Sequence, residues 1–139
     1  MLYAILCYSN EDEVMAWSKA EDDAVMERLQ GVIGRVAQQG RLGPTARLLP
    51  TTSATTLRKG KSEPLVMDGP FAETKEQLLG FYIIDCEKLE DAHDFARELT
   101  EANHAPGSYE IRPVGFFQQG VVTDGSAVAT LPAQRTAAE

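Results

Sequence analysis

Cysteine and histidine are scarce in this chain, with two of each among 139 residues. Cys7 and Cys86 both lie inside apolar runs, which suits small buried side chains better than a disulfide framework. No C-x-x-C pair or similar metal-binding spacing occurs, and no glycine-rich phosphate loop either. Neither a metal nor any other cofactor is therefore expected. Basic residues are also few: 13 Lys and Arg face 21 Asp and Glu, for a formal net charge of -8. Such a chain repels phosphate backbones and anionic membrane surfaces, so nucleic acid and membrane are excluded as main partners. The one basic group, Arg58, Lys59 and Lys61, reads as the solvated rim of a hairpin. No stretch is long and apolar enough to span a bilayer. The start, Met1-Leu2-Tyr3-Ala4, lacks the basic region of a signal peptide. These absences together set the expectation of a cytoplasmic protein in a reducing compartment.

What the chain does contain is enough apolar material, 43% of residues, for a single packed core at this length. Leu2 to Tyr8 reads as a buried strand in the sheet interior. Asn10 offers an N-cap oxygen and Glu13 sits three residues on, as in a capping box. Val25, Leu29, Val32, Ile33 and Val36 then fall on one helical face, and Gly40 supplies the left-handed stop. Gly31 and Gly34 inside that helix read either as sites of close backbone approach or as tolerated cost. Arg41 to Leu49 reads as a second strand that Pro50 ends. Ala54 to Arg58 and Leu65 to Asp68 form a hairpin around the polar turn at 59–63. Leu79 to Asp85 is the strongest strand. A second helix follows with Leu89, Ala92, Phe95, Ala96 and Leu99 on one face, ending near Asn103, and Tyr109 to Val114 closes the pattern.

This order, strand-helix-strand, hairpin, strand-helix-strand, points to an α+β ferredoxin-like sandwich. Its antiparallel sheet carries two helices on one face and a hairpin insertion. The other sheet face then needs a cover, and a second copy supplies one by two-fold symmetry. A homodimer through the open sheet face, of the dimeric α/β-barrel type, is expected. The domain spans 1–114. Residues 115–139 form a C-terminal arm and an Ala-, Thr-, Ser- and Gly-rich tail, expected to dock on the domain or on the partner subunit.

The most unusual stretch is Met67-Asp68-Gly69-Pro70-Phe71-Ala72-Glu73-Thr74-Lys75-Glu76. A strand ends at Asp68, Gly69-Pro70 makes a stiff bend, and Phe71 is expected to pin the loop to the core. Read on as DGPFAETKEQLLGFYIIDC, it resembles the central motif of the DGPF-domain branch of the YCII-related family. Leu48-Leu49-Pro50, Ala54-Thr55-Thr56 and Glu110-Ile111-Arg112-Pro113-Val114 extend the resemblance over roughly Met1 to Val114. It implies a dimeric ferredoxin-like fold, a pocket between sheet and helices in each subunit, and a link to sigma-factor systems. It implies no particular reaction. Some related proteins look as if they use a His–Asp pair; here Asp68 matches the acid, but the first helix holds no histidine.

Asp68 is the foremost candidate, either as a desolvated general base or as a brace for its own turn. Arg112 and Arg47 are candidates for clamping a small polar or anionic ligand, or for pairing with Asp68, Glu73 or Glu76. Tyr82, Thr55 and Lys75 complete the ligand-binding set, each with an ordinary alternative as core aromatic, strand residue or exposed charge. Trp17 and Met15 are candidates for covering a ligand cavity or for plain helix packing. Cys7 has no neighbouring base in sequence and carries little weight. Two functions follow: a dimeric small-ligand-binding or accessory module, or a small acid–base enzyme using Asp68. Whether the chain is catalytic stays open.

Overall fold

Leu2 to Ser9 forms a central strand because its alternate side chains find two different environments: Tyr3 and Ile5 are buried, whereas Leu2, Ala4 and Leu6 are half-buried. The computed structural model describes residues 1–60, 62–122 and 125–129. In chain order the elements are β1 (Leu2–Ser9), α1 (Glu11–Met15), α2 (Lys19–Gln38), β2 (Leu42–Arg47), β3 (Thr55–Arg58), β4 (Leu65–Asp68), β5 (Gln77–Asp85), α3 (Leu89–Ala102) and β6 (Gly107–Pro113), with short 3-10 turns at Thr51–Ser53 and Gly125–Ala127.

The protein is α+β. Strand β1 pairs antiparallel with β5 on one side and β6 on the other, and β2 pairs with β5, giving the order β2-β5-β1-β6. Strands β3 and β4 form a separate two-stranded hairpin. Tyr3, Ile5 and Ile84 of the sheet pack with Val36 of α2 and Ala92, Phe95 and Leu99 of α3. Both helices thus cover the face to which Ile5 points. This arrangement is consistent with the ferredoxin-like sandwich expected from the sequence. The opposite face, with Leu2, Ala4, Leu6 and Ile83, carries no second layer among the described residues.

Several boundaries differ from the sequence reading, each for a local reason. The first helical stretch is broken in two. Asn10 caps α1, accepting from Asp12 N at 3.0 Å and Glu13 N at 3.3 Å. The reciprocal capping box belongs instead to Ser18 and Glu21 at the start of α2, where Glu21 N donates to Ser18 Oγ at 3.1 Å and Ser18 N to Glu21 Oε2 at 3.2 Å. A Cβ built on Gly31 or Gly34 would meet nothing within 4 Å, so neither glycine is there for close backbone approach. Leu89 stays exposed at the first turn of α3, and Ala102 joins that helix's buried face instead. Phe71 is 75% exposed and does not pin its loop to the core.

The loop is held by other means. Gly69 adopts φ 101°, a conformation open to glycine at little cost. Its N–H donates to Ala54 O at 2.8 Å, Thr56 Oγ1 donates to Gly69 O at 2.8 Å, and Arg58 Nη2 donates to Phe71 O at 2.8 Å. A second brace was invisible in the sequence. The Glu11 carboxylate accepts from Thr51 N at 2.9 Å and from the Thr51 hydroxyl, while Glu11 N donates to Gln77 Oε1 at 2.9 Å. This ties α1, the β2–β3 connection and the start of β5 together.

Of the C-terminal arm, Phe116, Val121 and Val122 are exposed. The tail expected to dock at 123–139 lies outside the described residues except for 125–129.

Candidate functional site

A cavity of about 610 Å³ opens between the sheet and the helices, within the range of small-molecule sites. Its floor carries Cys7 of β1, Gly80 and Tyr82 of β5, and Tyr109 of β6. Strand pairing explains the grouping: Cys7 stands opposite Gly80 on one side and opposite Tyr109 on the other. Helix α2 walls it with Val25, Met26, Leu29 and Ile33, and α3 with Ala96 and Thr100. Val14 and Trp17, from α1 and the segment after it, cover one end. Met15 does not line it.

Two positions of the floor bear little or no side chain. Gly80 has no alternative, since a Cβ there would lie 2.5 Å from Ala46 O. Beside it Cys7 offers only a thiol. Beyond the cavity Ile5, Ile84 and Leu99 are fully buried.

The polar groups in the lining are mostly neutral or neutralised. Burial pushes the Cys7 thiol up to about 12, and its Sγ contacts Ile5 O at 3.7 Å. Burial likewise raises the Tyr109 phenol to about 12, helped by Cys7 beside it. The Tyr82 phenol is raised further, first by burial and then by Cys7 and Tyr109. All three therefore stay protonated at neutral pH. The Tyr82 ring also meets Phe95 edge to face, with centroids 5.4 Å apart. Arg47 is held by Asp22 at 3.3 Å, and the Asp22 side chain is only 13% exposed.

Of the sequence-derived candidates, Arg47, Tyr82, Trp17 and Cys7 meet at the cavity. Asp68, Arg112, Thr55, Lys75 and Met15 do not line it. Asp68 is exposed at the end of β4, opposite Thr55 on β3. Its carboxylate accepts no hydrogen bond among the described residues, so the bend at Gly69 is fixed without it. Lys75 lies exposed in the loop before β5. Arg112 sits opposite Ala4 on the open sheet face and is 3.7 Å from Glu110. Neither arginine takes the partners considered from sequence: Asp22 and Glu110 stand where Asp68, Glu73 or Glu76 were expected. His93 lies 3.8 Å from Glu90 on α3, and His104 is exposed beyond it; neither reaches the cavity.

Sequence reasoning missed Tyr109, Asp22 and Gly80 and underweighted Cys7. One signal existed. Cys7 shares the parity of Tyr3 and Ile5 on its strand and Tyr109 that of Ile111, so both had to face the helices. Cys86, the other cysteine, is buried and unpaired, as is the half-buried Cys7. No helix among the described residues is long and apolar enough to cross a membrane.

Comparison with known proteins agrees with the motif. An uncharacterised protein of Rhizobium meliloti (strain 1021) is 58% identical over 120 residues, covering 86% of this chain and 97% of the relative. A profile of the YCII-related domain matches residues 1–118, the region from β1 through the end of β6 and a few residues beyond. The chain belongs to the YCII-related family.

Proposed function

We propose that this protein is a dimeric small-ligand-binding module, suited to an accessory role such as small-molecule sensing in a sigma-factor system. The observation that carries the reading is the cavity of about 610 Å³ between sheet and helices. A core of this size normally packs to a density that leaves few voids larger than a water molecule. A void this large, lined by apolar side chains with a few placed polar groups, has the character of a ligand site. Acid–base catalysis through Asp68 would need space for a substrate beside that carboxylate, and in this chain the space lies elsewhere.

The dimer is supported by two unpartnered surfaces. The open face of the sheet presents Leu2, Ala4, Leu6 and Ile83 without a covering layer among the described residues. The β3–β4 hairpin exposes Leu57, Leu65, Val66 and Met67, and a two-stranded hairpin on its own is marginally stable. A second copy covers both by symmetry.

The test uses Trp17, the chain's single tryptophan, which lines the cavity. N-phenylnaphthylamine, an uncharged apolar fluorophore, is expected to bind and to be excited by energy transfer from Trp17. Sedimentation equilibrium at micromolar concentration is expected to give twice the chain mass. Absence of probe binding removes the ligand reading, and a monomer removes the assembly.

A further inference from the structure

From the state of the donors around the cavity, we infer that its ligand is an uncharged molecule with a ring-sized apolar body and an acceptor oxygen, a ketone or ester carbonyl, received by the hydroxyls of Tyr82 and Tyr109. The inference rests on the ligand-binding reading above and narrows it.

Many polar hydrogens in the lining are committed within the protein; the side-chain donors of Tyr8, Trp17 and Asn103, which are half-buried, and of Gln30, which is exposed, are not. Ser9 Oγ donates to Pro106 O at 2.7 Å, Ser108 Oγ to Glu76 Oε2 at 2.9 Å and Thr100 Oγ1 to Ala96 O at 2.9 Å. Thr45 Oγ1 donates to Gly43 O at 3.3 Å, and the Cys7 thiol faces Ile5 O at 3.7 Å. The guanidiniums are committed as well. Arg47 is paired with Asp22 at 3.3 Å, and Arg97 with Asp94 at 2.7 Å and Glu90 at 3.2 Å. An anionic ligand would share those guanidiniums with carboxylates already paired to them, in a chain whose net charge is already -8.

Tyr82 and Tyr109 differ from this pattern. Neither hydroxyl has a hydrogen-bond partner among the described residues, although both rings are largely withdrawn from solvent. Buried tyrosine hydroxyls normally find one. No side-chain oxygen or nitrogen among the described residues is both fully buried and unpartnered, so the two hydroxyls open onto the cavity space. Burial keeps both protonated, so each has a hydrogen to give. Around them Val25, Met26, Leu29 and Ile33 offer only apolar contact. The complement of two phenolic donors in an apolar chamber is a carbonyl oxygen on an apolar frame.

Three probes of one shape test this by equilibrium dialysis: benzophenone, diphenylmethane and diphenylacetate. Benzophenone is expected to bind at least about fivefold tighter than diphenylmethane, the value of one neutral hydrogen bond near 1 kcal/mol. Diphenylacetate is expected to bind weakest. In the double variant Tyr82→Phe/Tyr109→Phe, folded by circular dichroism, the ketone's advantage disappears while diphenylmethane binding is unchanged. Equal binding of ketone and hydrocarbon, an advantage that survives in the double variant, or tightest binding of diphenylacetate overturns the ligand class and leaves the cavity reading standing. Failure of all three probes overturns the ligand class, and failure of N-phenylnaphthylamine as well overturns the cavity reading with it.

Discussion

Replacing Cys7 with phenylalanine tests the cavity through the sign of a stability change. Cys7 lies at the centre of the floor, beside a glycine that cannot carry a side chain. A phenyl ring there puts six carbons in place of one sulfur, a net gain of about five heavy atoms at roughly 0.8 kcal/mol each when fully buried. The cavity is partly open to solvent, so about half of that, roughly 2 kcal/mol, is realised. Fixing the ring's rotamers takes back about 0.5–1 kcal/mol. The net is a gain of about 1 kcal/mol, or about 2–4 °C in Tm for a chain of this size. Were the site packed, the same insertion would instead cost about 1–3 kcal/mol through overpacking. Differential scanning calorimetry with and without N-phenylnaphthylamine reads both consequences: Cys7→Phe is expected to melt higher than the parent and to lose the probe's stabilising effect. A lower Tm would refute the void, and a retained probe response would place the ligand elsewhere.

The perturbed thiol and phenols give two further predictions. With its thiol pushed up from 9.0 to about 12, Cys7 is ionised only about one part in ten thousand at pH 8, whereas a free thiol is about a tenth ionised there. Alkylation of Cys7 by iodoacetamide, followed by peptide mass spectrometry, is expected to be slower than that of glutathione by about a thousandfold; comparable rates would contradict the burial of the thiol. The same burial makes stability fall in alkali. Cys7, Tyr82 and Tyr109 are acids whose folded values lie above their ordinary ones of 9.0, 10.0 and 10.0. Below about pH 8 both states hold these protons and nothing is lost; above it the unfolded chain releases them first, the Cys7 thiol before the phenols, so unfolding gains with each unit of pH. Urea midpoints are expected to hold level to about pH 8 and to fall beyond it, with the fall made shallower in Cys7→Ala.

The strands and the second helix could be read from the chain because their physics is local. Alternation fixed which side chains of β1 face the helices, and the spacing of Ala92, Phe95, Ala96 and Leu99 fixed the buried side of α3. The break between α1 and α2 was legible in principle, since Ser18 and Glu21 spell a capping box, but Asn10 and Glu13 spell one too. The reciprocal bond forms at Ser18 and Glu21, while α1 is tied through the Glu11 carboxylate to Thr51, forty residues away, a contact that neither local sequence announces.

The motif around Asp68 identified the family from sequence alone, because a bend through Gly69-Pro70 constrains its own residues. The site was decided elsewhere. Cys7, Tyr82 and Tyr109 belong to three strands, and nothing in their neighbours announces that they share a floor; only the register of β1 with β5 and β6 brings them together. The emptiness above that floor is likewise no property of any one segment. Its lining comes from β1, β5 and β6 below and from α2 and α3 above, and a gap between elements appears only once they have been packed.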